Sequence, residues 1–316
     1  MLRKKRVYLA LTLLFMLVLV TACGNSGGSK TTKKEKTKNA AITLKDAMGE
    51  VTIPANPKRI IAPYLEDSLV ALGVKPSAQW SIGETVLDYL QPELKGVPKI
   101  SWDLPVEQVI SKNPDLLIFS SPAAIQKGQY EEYKKIAPTY VFKEEVSADW
   151  RQQLSEMGKI LNKQTEAKKF LQQYDEKAAE AKANINQSVG DQTAAIIWVM
   201  GDKFYLFEEN RFAANVLYKD LGVKKPAFVE SLGSAAAQWN PITLEKLPEI
   251  KADHLFLISK KGEPGLDILA KSAIWNGIDA VKNGKIHEIN DPSYWTINGA
   301  VASEKVIDDA VTTLTK

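Results

Sequence analysis

The sequence predicts an α/β protein of two doubly wound lobes with largely parallel sheets, joined by a single long rigid α-helix. Three observations predict it. Strand-like apolar runs alternate with helical stretches both before residue 162 and after residue 190. Between them, residues 164–188 contain no Gly or Pro and are rich in Ala, Glu, Lys and Gln. A unit also recurs: Glu107 precedes Asp115-Leu116-Leu117-Ile118-Phe119 as Glu245 precedes Asp253-His254-Leu255-Phe256-Leu257, at a constant offset of 138 residues (107 to 245, 115 to 253).

The first 22 residues read as a lipoprotein signal peptide. Arg3, Lys4, Lys5 and Arg6 form a basic head, residues 7–20 are almost wholly apolar, and Val20-Thr21-Ala22-Cys23 closes the segment. About 14 apolar residues fall short of the ~20 that cross a ~30 Å hydrocarbon core, which favours cleavage over a permanent span. Cys23 is the only cysteine in the chain. A lone thiol in an exported protein has no disulfide partner, so Cys23 is the expected lipidation site. Residues 23–40 are rich in Gly, Ser, Thr and Lys without a large apolar side chain, which predicts a flexible tether near anionic headgroups. The expected location is the cell membrane, with the folded part on its extracytoplasmic side.

The N-terminal lobe is assigned to residues 41–162. Residues 42–44 and 51–53 alternate around Met48-Gly49 as a hairpin, and Ile60-Ile61-Ala62 is a buried strand. A helix over 66–72 stops at Gly73. Strands follow at 116–119 and 139–142, with a helix at 130–136 between them. Trp150, Leu154, Met157 and Leu161 then recur at spacings that share one helical face. The connecting helix, 163–189, carries Phe170, Tyr174, Ala178, Ala181 and Ile185 on one stripe, and its uninterrupted part spans roughly 37 Å. The C-terminal lobe, 190–316, has expected strands at 193–199, 204–207, 255–258 and 285–289. Its expected helices lie at 212–221, 243–250 and 299–313.

Charge narrows the partners. The chain has 41 basic and 38 acidic residues, but setting aside the four leader cations, five tether lysines and one tether glutamate leaves 32 basic against 37 acidic. The folded part is mildly acidic, so nucleic acid is not an expected partner. Catalytic motifs are lacking: there is no Gly-x-Ser-x-Gly, Walker loop or His-Glu-x-x-His. His254 and His287, the only histidines, fall in strands and read as structural. An exported hydrolase working through a pair of carboxylates stays open as an alternative class.

Aromatic residues in turns point instead to ligand capture. Tyr64, Trp80, Trp102, Trp239, Tyr294 and Trp295 follow strands or lie in loops, where the carboxyl ends of α/β sheets form a crevice. Trp150 and Trp198 fall within regular elements and read as core. Arg211, following Glu208-Glu209-Asn210, opens a helix where the dipole disfavours a cation. Its planar fork suits a carboxylate or the oxygens of an anionic chelate; a pair with Glu208 or Glu209 is the other reading.

Together these residues resemble the siderophore-binding lipoproteins of ABC importers, a periplasmic-binding-like group with one rigid connecting helix. The resemblance covers about residues 41–316. It is carried by Asn56-Pro57-Lys58-Arg59-Ile60, by Glu107 with Asn113-Pro114-Asp115-Leu116, by Arg211-Phe212 leading to Leu217-Tyr218-Lys219-Asp220-Leu221-Gly222, and by Ile274-Trp275-Asn276 before Lys282-Asn283-Gly284-Lys285. The chain is most similar to the ferric hydroxamate binders, which show Gly-Arg-Gly-Gly where this chain has Asn210-Arg211-Phe212-Ala213, closer to binders of citrate-containing siderophores. The resemblance implies that Arg211 and Tyr294-Trp295 face the ligand and that Glu107 and Glu245 form salt bridges with permease arginines. It also implies an Fe(III)-siderophore held between the lobes, with iron bound only through the chelator and no other cofactor. The expected partners are an ABC permease with its cytoplasmic ATPase, with the protein itself a monomer. Cobalamin- or haem-binding proteins of the same architecture are the nearer alternative.

Overall fold

Alternating Ile42, Leu44, Val51 and Ile53 pack one face of the hairpin formed by β1 (Ile42–Lys45) and β2 (Glu50–Ile53), which pair antiparallel in the computed structural model. The structure describes residues 40–316. The expected signal peptide, the Cys23 lipidation site and residues 23–39 of the expected tether lie outside the described residues.

Five short strands follow in the first half: β3 (Ile60–Ile61), β4 (Gln79–Ser81), β5 (Lys99–Ser101), β6 (Leu116–Phe119) and β7 (Thr139–Val141). β3, β6 and β7 form a parallel sheet in that order, and β4 pairs parallel with β5. The second half has β8 (Ala194–Met200), β9 (Lys203–Leu206), β10 (Pro241–Ile242), β11 (His254–Ile258) and β12 (Ile286–Ile289) in one sheet, ordered β10-β9-β8-β11-β12. β8, β11 and β12 are parallel. β9 returns antiparallel from β8, with Met200 opposite Lys203, so Gly201-Asp202 form a two-residue hairpin loop. Gly201 has φ 62, a conformation that costs a Cβ-bearing residue energy.

The helices that matter for the site are α1 (Glu66–Ala71), α2 (Val106–Ser111), α3 (Tyr130–Ile136), α4 (Trp150–Ile160), α5 (Gln164–Val189) and α6 (Ala300–Leu314). The connecting helix α5 runs 26 residues, as its unbroken composition requires. Tyr174, Ala178, Ala181 and Ile185 on its stripe are buried. Two expected helices differ. Residues 212–221 give a short turn, Ala213–Asn215, followed by a π-helical stretch, Val216–Asp220. Leu244–Ile250 is a 3₁₀ helix containing Pro248, which has no N–H to extend an α-helical ladder.

The largest core joins both halves. It includes Ile60, Leu116 and Trp150 from the first half, Tyr174 and Ala181 of α5, and Ile196, Phe256 and Val306 from the second. Along β8, Ala194 and Ile196 face that core, while Ala195, Ile197 and Val199 face a second one with Leu247 and Trp275, the alternation expected of a strand covered on both faces. The final helix α6 packs on α5 and also on α1 of the first half. Lys177 of α5 pairs with Asp308 of α6 at 2.8 Å.

The repeated unit is realised in the backbone. Asn113 (φ 45) and Lys251 (φ 49), again 138 residues apart, both take the left-handed conformation between the glutamate-bearing helix and the strand. Two residues on, Asp115 accepts the backbone N–H groups of Lys58 and Arg59 ahead of β3. Asp253 likewise accepts that of Thr193 ahead of β8.

Candidate ligand-binding site

The carboxyl ends of β3, β4 and β5 each release a large apolar side chain into solvent. Tyr64, Ile82 and Trp102 are 46%, 50% and 48% exposed. Ser81 and Ser101 are paired across β4 and β5, and Trp102 N–H donates to Ser81 O at 2.9 Å, so Ile82 and Trp102 emerge side by side. Met200, ending β8, is also exposed. Exposed apolar residues gathered at strand ends are the kind of surface that marks a binding crevice.

Tyr64 takes φ 62, which is strained for a residue with a Cβ, and its ring lies 4.3 Å from that of Trp80. Burial, followed by repulsion from Glu66, raises its hydroxyl to about 12. Trp80, expected in a loop among the ligand-facing aromatics, is corrected: it lies within β4 and is buried, packing against Tyr64.

The sequence reading missed the two acids that follow. Glu66 and Asp67 open α1 and are both buried. Glu66 Oε1 accepts Trp80 N–H at 2.7 Å, while Oε2 is buried without a partner. Burial is the main cause that raises the Glu66 carboxyl to about 7, with a backbone hydrogen bond from Trp80 opposing it. Since Oε1 already accepts, the proton of the neutral form belongs on Oε2. Asp67 reaches the second half: Oδ1 accepts Val301 N–H at 3.0 Å and Oδ2 accepts Ala302 N–H at 2.9 Å, capping α6 from outside. Oδ2 also accepts the Tyr89 hydroxyl at 2.7 Å. A Cβ at Gly299 would lie 2.4 Å from Asp67 Cγ, so this approach requires glycine.

On the second half, Arg211 is only 5% exposed and its fork closes on Glu208, with Nε to Oε2 and Nη2 to Oε1. Nη2 also donates to the carbonyls of Ala236 and Gln238, at 2.8 Å each. Of the two sequence readings, the pair with Glu208 is therefore present, and it is buried rather than on the surface. The guanidinium lies 4.7 Å from the Trp239 ring, which also meets Trp198, Phe207 and Phe212. Trp239 is half-buried, and so is Trp198, expected as core. Phe212 has φ 43 and ψ −112, a backbone that favours glycine.

Tyr294 and Trp295 share one acceptor. The Tyr294 hydroxyl donates to Asp309 Oδ2 at 2.7 Å and Trp295 Nε1 donates to the same oxygen at 2.9 Å. Burial and then Asp309 push the Tyr294 hydroxyl well above its ordinary range. The two residues differ in position. Tyr294 is half-exposed and lies 6.0 Å from Tyr89 of the first half, whereas Trp295 is fully buried against Phe256. The expectation that Trp295 faces the ligand is corrected on this point: its side chain is fully buried, with its ring against Phe256 and its N–H on Asp309.

The remaining expected residues lie elsewhere. Glu107 on α2 and Glu245 in the 3₁₀ helix are exposed and have no ion-pair partner among the described residues. His254 Nδ1 meets His287 Nε2 at 2.9 Å, and His254 Nε2 meets Gln192 Oε1, which also accepts from Lys285. That oxygen needs a donor, so His254 carries its proton on Nε2 and accepts at Nδ1 from His287. Both rings are pushed down by burial, His287 to about 4. Among the described residues no group of three or more His, Cys, Asp or Glu is placed to hold a metal ion, and no helix is long and apolar enough to cross a membrane.

Comparison with known proteins places this geometry. Iron(3+)-hydroxamate-binding protein YxeB of Bacillus subtilis (strain 168) is 31% identical over 299 residues, covering 91% of this chain and 90% of that protein. Probable siderophore-binding lipoprotein YfiY of the same organism is 28% identical over 326 residues, covering 98% of each. Among solved structures, Staphylococcus aureus SirA complexed with staphyloferrin B matches with a TM-score of 0.72 at 26% identity, covering 86% of this chain and 98% of that one. The family model described as periplasmic binding protein matches residues 65–292. With its paired lobes, single long helix and fringe of aromatic side chains, the chain belongs to the periplasmic binding protein family.

Proposed function

We propose that this protein is the substrate-binding lipoprotein of an ABC importer, capturing an Fe(III)-siderophore of hydroxamate or citrate-hydroxamate type outside the membrane and delivering it to a permease. The observation that carries the reading is the exposure of Tyr64, Ile82 and Trp102 at the carboxyl ends of β3, β4 and β5, on a chain related over nearly its whole length to siderophore binders. Iron arrives as cargo inside its chelator, so recognition falls to side chains that meet an organic skeleton and its oxygens.

Each group has a task in that reading. Tyr64 and Trp102 from the first half, with Tyr294 and Trp239 from the second, cover the skeleton; apolar contact contributes about 25 cal/mol per Å² before ordering costs. Trp80 and Trp295 support those rings from below. Arg211, already steered by Glu208, offers its remaining guanidinium edge to a chelate oxygen. Glu107 and Glu245 stand at equivalent places on the two halves and align the loaded protein on permease arginines. Exposed ion pairs contribute only ~0.2–1 kcal/mol each, so their effect is on orientation and encounter rate. Lipidation at Cys23 keeps the protein beside the permease.

A tryptophan quenching titration against ferric hydroxamate, citrate-hydroxamate and catecholate complexes, with cobalamin as control, tests the ligand class. Saturable quenching by one ferric siderophore class and none by cobalamin is expected; quenching by cobalamin alone overturns the assignment. Replacing Glu107 and Glu245 together by Ala is expected to leave that titration unchanged and to abolish iron uptake, and normal uptake removes the docking role.

A further inference from the structure

Glu107 and Glu245 are equivalent in the repeated unit, so charge alone gives a partner no means of telling one half from the other. Their surroundings differ. Ile110 lies one turn beyond Glu107 on the same face of α2 and is 55% exposed, more than any other large apolar side chain among the described residues. It lines an open groove of about 650 Å³ with Val106, Asn113, Glu132, Lys135 and Ile136, where α2 faces α3. The position 138 residues on is Pro248, a short rigid ring in the 3₁₀ helix that packs against Ala273–Asn276.

The groove has apolar walls made by Val106, Ile110 and Ile136, and its lining carries one acid and one base, Glu132 and Lys135. Glu107, exposed and one helical turn before Ile110, adds an unpaired negative charge beside that neutral lining, and the complementary partner presents a cation next to an apolar side chain. Nothing in the fold of this half requires Ile110 to be apolar, since its neighbour Val109 is the residue of α2 that enters the core.

We propose that the groove between α2 and α3 receives an apolar side chain of the permease standing beside the cation that engages Glu107, so that the protein docks in one orientation. This rests on the reading of Glu107 and Glu245 as docking residues. Exposed ion pairs contribute little to affinity, whereas withdrawing an isoleucine side chain from water contributes several times more. The groove thus supplies both the choice between halves and a share of the hold that the two glutamates do not.

The test uses the full lipidated chain, expressed in cells that lack the native copy, and iron labelled as the ferric complex bound most tightly in the quenching titration. Ile110→Ser is expected to bind that complex as the parent does, to reach the cell surface in equal amount, and to lower uptake about tenfold. Ile110→Val, which restores an apolar branch, is expected to recover most of the uptake. If Ile110→Ser transports normally while the double glutamate variant does not, the groove inference fails and the docking reading stands. If the double glutamate variant also transports normally, both fail. Weakened binding of the ferric complex by Ile110→Ser likewise overturns the inference, because it moves the residue from the partner surface to the ligand site.

Discussion

Replacing Glu66 by Gln should make the protein more stable above neutral pH and change little below pH 5. Glu66 is fully buried, its Oε2 has no partner, and burial raises its carboxyl from 4.5 to about 7. The folded state thus holds a proton that the unfolded chain releases near 4.5. Stability from that proton is fully present below 4.5, falls as pH rises through the interval from 4.5 to 7, and is gone above it. An interval of this width corresponds to about 3 kcal/mol at roughly 1.4 kcal/mol per pH unit. Glutamine keeps Oε1 for the Trp80 N–H and puts a neutral amide where the protonated oxygen stood, so it removes the pH dependence without removing the bond. Thermal melts at pH 5 and pH 8 should show the parent losing roughly 5–10 °C more than the variant across that range. Parallel melting profiles for the two proteins would refute the reasoning, because the Glu66 proton would then play no part in stability.

Two further outcomes follow from the same joint and its neighbour. Gly299→Ala should destabilise the protein by about 1–3 kcal/mol, because its Cβ would lie 2.4 Å from Asp67 Cγ and force that carboxylate off the N-terminus of α6; a denaturant titration measures it. Arg211→Ala should weaken the ferric siderophore at least tenfold in the quenching titration. It should also cost about 3–5 kcal/mol of stability by leaving buried Glu208 without its cation, so stability and affinity are measured on the same preparation.

Elements written in local sequence were legible. The connecting helix announces itself by a long run free of Gly and Pro, and most strands by short apolar runs at turn boundaries; β4, β5 and β10, two or three residues long and carrying polar residues or Pro, were not legible. The repeated Glu, Asp and strand pattern is present in both halves, and the structure adds the matched left-handed residues Asn113 and Lys251 to it. The π-helical stretch at Val216–Asp220 was not legible, because Leu217 and Leu221 fit an ordinary helical stripe equally well. The site was legible as residue types and less so as geometry. Whether an aromatic ring lines a surface or a core depends on what packs behind it, and Trp295 is sealed by Phe256 and Asp309 while its neighbour Tyr294 is not. Asp67 was invisible for a plainer reason: the N–H groups it accepts belong to residues 234 and 235 positions away. Glu208, three residues from Arg211, was visible as a partner, but no local pattern indicates that the pair is buried.

The last helix lies where it was expected, but its contact with the first half changes how the halves can part. A lone strut would let them swing about its axis. Here the chain's tail lies along that strut and is stapled to the opposite half by an aspartate, so rotation about one element must also shear the other. Any breathing of the mouth is therefore confined to a shallow tilt.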